Sequence, residues 1–214
     1  MVVPIAGPHP IGPFHAGSVT MIVALNWIAL ILAIATSTGL LLSRDWRWSL
    51  GLLAAQYLSV FWLVQTHWPI SMAAVKLVTG WMACAVLGIA QINSRREGET
   101  ETTWPQGRLF HVFAAGMVLV VTFAISLRGI NWLGISLPIA WGGLVLIGLG
   151  LLHLGNTSEP FEVVIGLLTV LAGFEILYAA VESSILVTAL LAVVNLGLAL
   201  AGAFFLNTAQ EEMR

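Results

Sequence analysis

Charged residues are scarce in this sequence. Its 214 residues include only 8 Lys and Arg and 10 Asp and Glu, whereas 59% are apolar and the mean hydropathy is +0.97. About a quarter of the residues of a typical soluble domain are charged, so this composition excludes a water-soluble globular protein. The sequence therefore predicts an all-α integral membrane protein, because a helix satisfies its own backbone hydrogen bonds in lipid.

Residues and motifs typical of catalytic and metal sites are also missing. The single cysteine, Cys84, excludes an intramolecular disulfide, and there is no CxxC pair, no phosphate-binding glycine loop and no HExxH motif. We predict no catalytic residue, no metal site, no cofactor in this chain and no binding to nucleic acid. A retinal protein is disfavoured, because the one lysine, Lys76, falls in the third apolar run and the one aspartate, Asp45, falls in a loop.

Long apolar runs make up most of the chain. A helix needs roughly 20 residues to cross a hydrocarbon layer about 30 Å thick, and about seven runs have this length. They cover residues 19–42, 48–65, 70–92, 109–127, 137–154, 160–180 and 183–206. Two runs are short, and only Glu182 separates the last two. A bundle of six or eight helices is therefore an alternative to the seven transmembrane helices predicted here.

Hydrophilic segments divide the predicted bundle into two membrane units. A short outer N-terminal segment, 1–17, precedes a three-helix unit, 18–92, and a hydrophilic loop, 93–108, follows it. A four-helix unit, 109–206, and a tail, 207–214, complete the chain. No segment outside the apolar runs is long enough for a soluble catalytic domain.

Arginine residues are distributed unequally between the two sides of the predicted bundle. Six fall on one side: Arg44, Arg47, Arg95, Arg96, Arg108 and Arg214. Only Arg128 falls on the other side. The positive-inside rule then predicts that the N-terminus is outside and the C-terminus cytoplasmic. We expect a multi-pass protein of the prokaryotic cytoplasmic membrane.

Three ionisable residues are candidates for a proton relay. Lys76 lies six residues into the third apolar run, and Glu175 lies deep in the sixth. A charge in hydrocarbon costs several kcal/mol, so such residues face the bundle interior and are functional candidates. Glu182 is two helical turns beyond Glu175, where it is either the outer end of a proton path or a charge at a helix end.

Other polar residues within the runs are weaker candidates. The amides Gln56, Asn195 and Asn26 either bond neighbouring helices together or line a hydrated proton path. His111 and His153 fall near the cytoplasmic ends of their helices at similar depth. This placement allows haem ligation or a quinone contact as weak alternatives.

The C-terminal third of the sequence resembles the three-helix K-type subunit of bacterial complex I and the C-type subunit of Mrp antiporters. Shared features are a glycine-rich first helix, a short polar turn, a V-x-x-G-(apolar)-E helix in VVIGLLTVLAGFEILYAAVE, and a third helix ending in G-L-A-L. The upstream segment QYLSVFWLVQTHWPISMAAVK is similar to the E-type membrane component of hydrogenase-4. Together these resemblances cover about half of the chain, mainly 48–92 and 138–205.

The resemblance implies roles for three residues. Glu175 matches the buried glutamate of the K-type second helix, and Lys76 matches the membrane lysine of the hydrogenase-type component. Asn195 stands roughly where the K-type third helix carries a second buried acid, so this sequence departs from a two-carboxylate relay.

The leading hypothesis is a membrane subunit of a complex I-like, membrane-bound hydrogenase-like or Mrp-like assembly that takes part in proton or ion translocation. Its expected partners are the lipid bilayer and other membrane subunits of antiporter type, with any quinone bound in a neighbouring subunit. A purely structural scaffold subunit and a small stand-alone transporter are the alternatives.

Overall fold

Seven α-helices make up the described part of the chain, which is residues 13–43, 45–94 and 106–211 of a computed structural model. In chain order they are α1 (Pro13–Leu42), α2 (Trp46–Gln65), α3 (Ile70–Ser94), α4 (Gln106–Leu133), α5 (Leu137–Asn156), α6 (Pro160–Val181) and α7 (Ile185–Glu211). Each is long and apolar enough to cross a membrane. The prediction of an all-α chain with seven such helices is confirmed, and the described residues contain no strand.

Several helices extend beyond their apolar runs. α1 begins at Pro13, before the first run, and α4 continues to Leu133, beyond the run 109–127. Hydropathy marks where the side chains become apolar, whereas the backbone hydrogen bonds of a helix continue into polar flanks. Of the arginines that set the predicted orientation, Arg44, Arg95, Arg96 and Arg214 lie outside the described residues.

The last two helices are separate although only one charged residue marks their junction. α6 ends at Val181, and the backbone N–H of Glu182 donates a hydrogen bond to the carbonyl of Tyr178 as the helix closes. Residues 182–184 are not helical, and α7 begins at Ile185. The alternative of one long helix in place of α6 and α7 is therefore excluded.

Four helices form a ring around the middle of the bundle. α2 packs on α3, α3 on α7, α7 on α6, and α6 on α2, so α3 and α6 face each other across the ring, as do α2 and α7. α1 packs on α2 and α5, and α5 on α6 and α4. We call the end where α1 joins α2 the α1–α2 end, and the opposite end, where α2 joins α3 and α6 joins α7, the α2–α3 end.

Glycines bring α5 and α6 into close contact. A Cβ on Gly173 would collide with the carbonyl oxygen of Gly143, and a Cβ on Gly150 would collide with the backbone of α6 near Val170 and Gly166. Small residues allow helix backbones to approach in this way, and close packing substitutes for a hydrophobic driving force in lipid. α6 is therefore fixed against α5 along most of its length.

Candidate functional site

Lys76 and Glu175 form an ion pair inside the ring. The Nζ of Lys76 lies 2.5 Å from Oε1 of Glu175, and each side chain is 1% exposed. The two residues are 99 positions apart and belong to α3 and α6, which face each other across the ring. The structure thus brings together the two residues that the sequence singled out as the strongest proton-relay candidates.

The pair lies well inside the bundle, at the same depth on both helices. Lys76 is six residues after Ile70, the first residue of α3, and Glu175 is six residues before Val181, the last residue of α6. At 1.5 Å per residue, both lie about 9 Å along the helix axis from the α2–α3 end. Equal depth on antiparallel helices is what allows the two side chains to meet.

Tyr57 fills the space beside the pair and bonds across the ring in the other direction. Its hydroxyl donates a hydrogen bond of 2.8 Å to Oδ1 of Asn195, which connects α2 with α7. Its ring packs on Gly80, one turn from Lys76, where any Cβ would collide with the ring. Polar contacts therefore join both pairs of facing helices, α3 with α6 and α2 with α7.

Sequence reasoning missed Tyr57. An aromatic residue in an apolar helix fits a packing pattern, so its hydroxyl carried no signal. The only indication was its place next to Gln56, since two consecutive residues with polar side-chain groups interrupt an apolar run.

The three candidate amides occupy different places. Asn195 is in the ring, 1% exposed, whereas Gln56 faces α1 and accepts a hydrogen bond of 3.3 Å from Ser37 through its Oε1. Asn26 is buried in α1, and its Oδ1 has no hydrogen-bond partner among the described residues. Asn195 thus bonds to Tyr57 in the ring, Gln56 is the chain neighbour of Tyr57 but bonds to α1, and Asn26 is outside this group.

Glu182 is at the end of the bundle. It follows the last residue of α6, is exposed, and accepts a hydrogen bond from the N–H of Ser183 through its own Oε1. Its backbone carbonyl accepts a hydrogen bond of 3.0 Å from Nε1 of Trp68. Of the two interpretations of Glu182, the helix-end charge fits this position, because α6 ends before it and no helix carries it onto the face of Glu175.

Aromatic residues cover the pair at the α2–α3 end. Trp68 is 3% exposed and packs edge to face on Tyr178, with ring centroids 6.2 Å apart. Tyr178 is one helical turn closer to this end than Glu175. The hydrogen bond from Trp68 to Glu182 holds the α2–α3 connection on the α6–α7 connection, so the two connections close this end together.

A second polar contact lies at the opposite end of α6. His153 of α5 contacts Glu162 of α6 through Nε2 and Oε2, 2.8 Å apart, with the side chains 10% and 20% exposed. His111 is half-buried near the start of α4, in ring contact with Phe110. The two histidines thus make separate contacts on α5 and α4.

Within residues 13–43, 45–94 and 106–211, no group of three or more His, Cys, Asp and Glu side chains is arranged to hold a metal ion. Cys84 is a free, buried thiol on α3. Comparisons with protein families, with characterised proteins and with solved structures found no match to this chain.

Proposed function

We propose that this chain is a multi-pass subunit of a complex I-like, membrane-bound hydrogenase-like or Mrp-like assembly and that its Lys76–Glu175 pair takes part in proton translocation. We place it in the prokaryotic cytoplasmic membrane with the N-terminus outside. The observation that carries the proposal is an ion pair enclosed by the bundle, both partners 1% exposed.

The cost of the pair supports a functional role. Removing two charges from water costs several kcal/mol for each, and apolar residues of similar volume are often at least as stable in the same place. Stability alone therefore does not account for a lysine and a glutamate in this core. Ionisable residues within membrane helices typically mark ion or proton pathways.

The geometry allows the pair to exchange protons. Glu175 uses only Oε1 to accept from Lys76, while its Oε2 is buried and has no hydrogen-bond partner among the described residues. A proton that arrives at Oε2 neutralises the carboxylate and weakens its attraction for the ammonium. The charge of Lys76 is then free to respond to charges in a neighbouring subunit, which is how proton uptake could be coupled to a partner.

The surface of α4 is open to contact with lipid or with another subunit. It carries large exposed apolar side chains along its length: Leu109, Phe110, Phe113, Met117 and Val120. In a membrane such a face contacts lipid or another subunit. The proposal assigns antiporter-like subunits to the assembly, places any quinone in one of them, and assigns no cofactor to this chain.

Proton translocation in sealed vesicles that contain the chain with its native partners tests the proposal. Glu175→Gln keeps the shape and hydrogen-bonding capacity but cannot titrate, and Lys76→Met fills a similar volume without charge. We expect Glu175→Gln to assemble and to lower translocation several-fold or more, Glu175→Asp to retain part of it, and Lys76→Met to abolish it.

The matched control is Glu162→Gln, the same substitution on the same helix in the partly exposed ion pair, which we expect to pump normally. Translocation at the wild-type rate in Glu175→Gln would favour the scaffold alternative. A chain that purifies without partners and transports a solute would favour the stand-alone transporter.

The proposed orientation has its own test. Reporter fusions placed after Arg47 and within the loop 93–108 should both report a cytoplasmic position, since the arginines concentrate there. An external signal from either fusion would reverse the orientation.

A further inference from the structure

We propose that protons reach the Lys76–Glu175 pair from the α1–α2 end, along a buried line of hydroxyl and amide groups that we name the polar seam. Its members, in order from that end, are Ser43, Ser49, Ser37, Gln56, Tyr57 and Asn195. This inference rests on the proposed function and adds a route and a direction to it.

The seam begins in the hairpin of α1 and α2. Ser49 is fully buried and donates a hydrogen bond of 3.2 Å to the hydroxyl of Ser43, next to the exposed Asp45 at the end of the bundle. Two turns further along α2, on the same face, Gln56 accepts a hydrogen bond of 3.3 Å from Ser37. The α1–α2 interface therefore carries polar groups at two levels.

The seam continues into the ring through adjacent residues of α2. Gln56 and Tyr57 are 0% and 1% exposed, and Tyr57 donates to Asn195, which is also 1% exposed. The ring of Tyr57 packs on Gly80, one turn from Lys76, which places this side chain beside the pair. A hydroxyl can both accept and donate a proton.

Buried atoms along the seam need further partners. Nε2 of Gln56 and Nδ2 of Asn195 are buried donors without a hydrogen-bond partner among the described residues. Oε2 of Glu175 is a buried acceptor that also has no partner among them. Nearly all buried polar atoms in proteins are bonded to protein or to water. We therefore expect bridging water at these atoms.

The opposite approach to the pair is lined by aromatic rings. At the α2–α3 end, Trp68 packs on Tyr178 and donates to the carbonyl of Glu182, and Tyr178 is one turn closer to this end than Glu175. Tyr178 contributes one hydroxyl here, whereas the α1–α2 end contributes the longer series of polar groups, so we infer that access is from the α1–α2 end.

Thiol exchange measures hydration of the seam without any transport assay. Cys84 is first replaced by Ala, and a single cysteine is then introduced, either Ser37→Cys on the seam or Ser126→Cys as the control. After the membranes are transferred to D2O, the loss of the S–H infrared band measures the rate of exchange. Both serines are buried at 3% and 0%, but the Ser126 hydroxyl bonds to its own helix at the carbonyl of Phe123. We expect exchange at position 37 to be at least tenfold faster; equal rates would overturn the seam.

Proton translocation tests whether the seam conducts. We expect Tyr57→Phe and Gln56→Leu to lower translocation several-fold, whereas Thr169→Val, which removes a buried hydroxyl bonded to its own helix, pumps normally. Wild-type rates in both seam variants, with Glu175→Gln impaired, would overturn the route and leave the proposed function intact. If Glu175→Gln also pumps normally, the proposed function fails, and the seam then carries no protons to the pair.

Discussion

Helix α6 carries two acids that each contact a basic residue of another helix, in very different surroundings. Glu162, in the first turn, pairs with His153 at a site where the two side chains are 20% and 10% exposed. Glu175, thirteen residues further along, pairs with Lys76 where both are 1% exposed. The contacts are of similar length, so burial and not distance distinguishes them.

Burial separates a contact that stabilises the fold from one that costs it free energy. Glu162 lies in the first turn of α6, where the helix dipole favours an acid, and it remains close to the surface. The Lys76–Glu175 pair has no access to solvent and is removed from the helix ends by about 9 Å. We therefore interpret the first as a contact that joins two helices and the second as a site kept for its charge.

The largest effect on stability should come from breaking the buried pair. Lys76→Met leaves Glu175 without its partner; the carboxyl must then take up a proton and remain incompletely bonded, at a cost of about 1–3 kcal/mol. Denaturant unfolding of the purified protein in lipid would measure this loss.

The double variant Lys76→Met/Glu175→Met sharpens the interpretation. Replacement of both partners by apolar groups removes the unsatisfied carboxyl, so we expect most of the lost stability to return while proton translocation stays abolished. A double variant no more stable than Lys76→Met would mean that loss of the pair itself destabilises the fold, and the pair would then be structural.

A smaller effect is expected where the aromatic residues cover the buried pair. Trp68→Phe removes the hydrogen bond to the carbonyl of Glu182, which should cost about 0.5–1.5 kcal/mol of unfolding free energy. The control is Trp62→Phe, since Nε1 of Trp62 is buried without a hydrogen-bond partner among the described residues. Equal losses in the two variants would show that ring packing, and not the hydrogen bond, holds the α2–α3 end closed.

The smallest effect should come from the partly exposed pair. Glu162→Gln removes a charge that solvent already screens, so we expect a loss of about 0–1 kcal/mol in the same unfolding assay. A loss as large as that of Lys76→Met would remove the distinction between the two pairs.

Contacts within a hairpin could be predicted from this sequence, whereas contacts across the ring could not. His153 and Glu162 are nearly equidistant from the turn between α5 and α6, as Gly143 and Gly173 are, so antiparallel pairing of adjacent helices places them together. The sequence singles out Lys76 and Glu175 separately, because a charge within an apolar run is costly in a membrane. Their pairing depends on which of the non-adjacent helices face each other, and hydropathy contains no information about that.

The close packing of α5 and α6 has a mechanical consequence for the buried pair. Gly173, two residues from Glu175, is in backbone contact with α5, and no side chain at this contact can yield to let α6 slide. The backbone that carries Glu175 is therefore held in place. Lys76 carries its charge on a stem of four methylene groups from a helix that packs on α2 and α7. Any separation of the two charges must therefore come from rotation of the two side chains or from movement of α3, and not from sliding of α6.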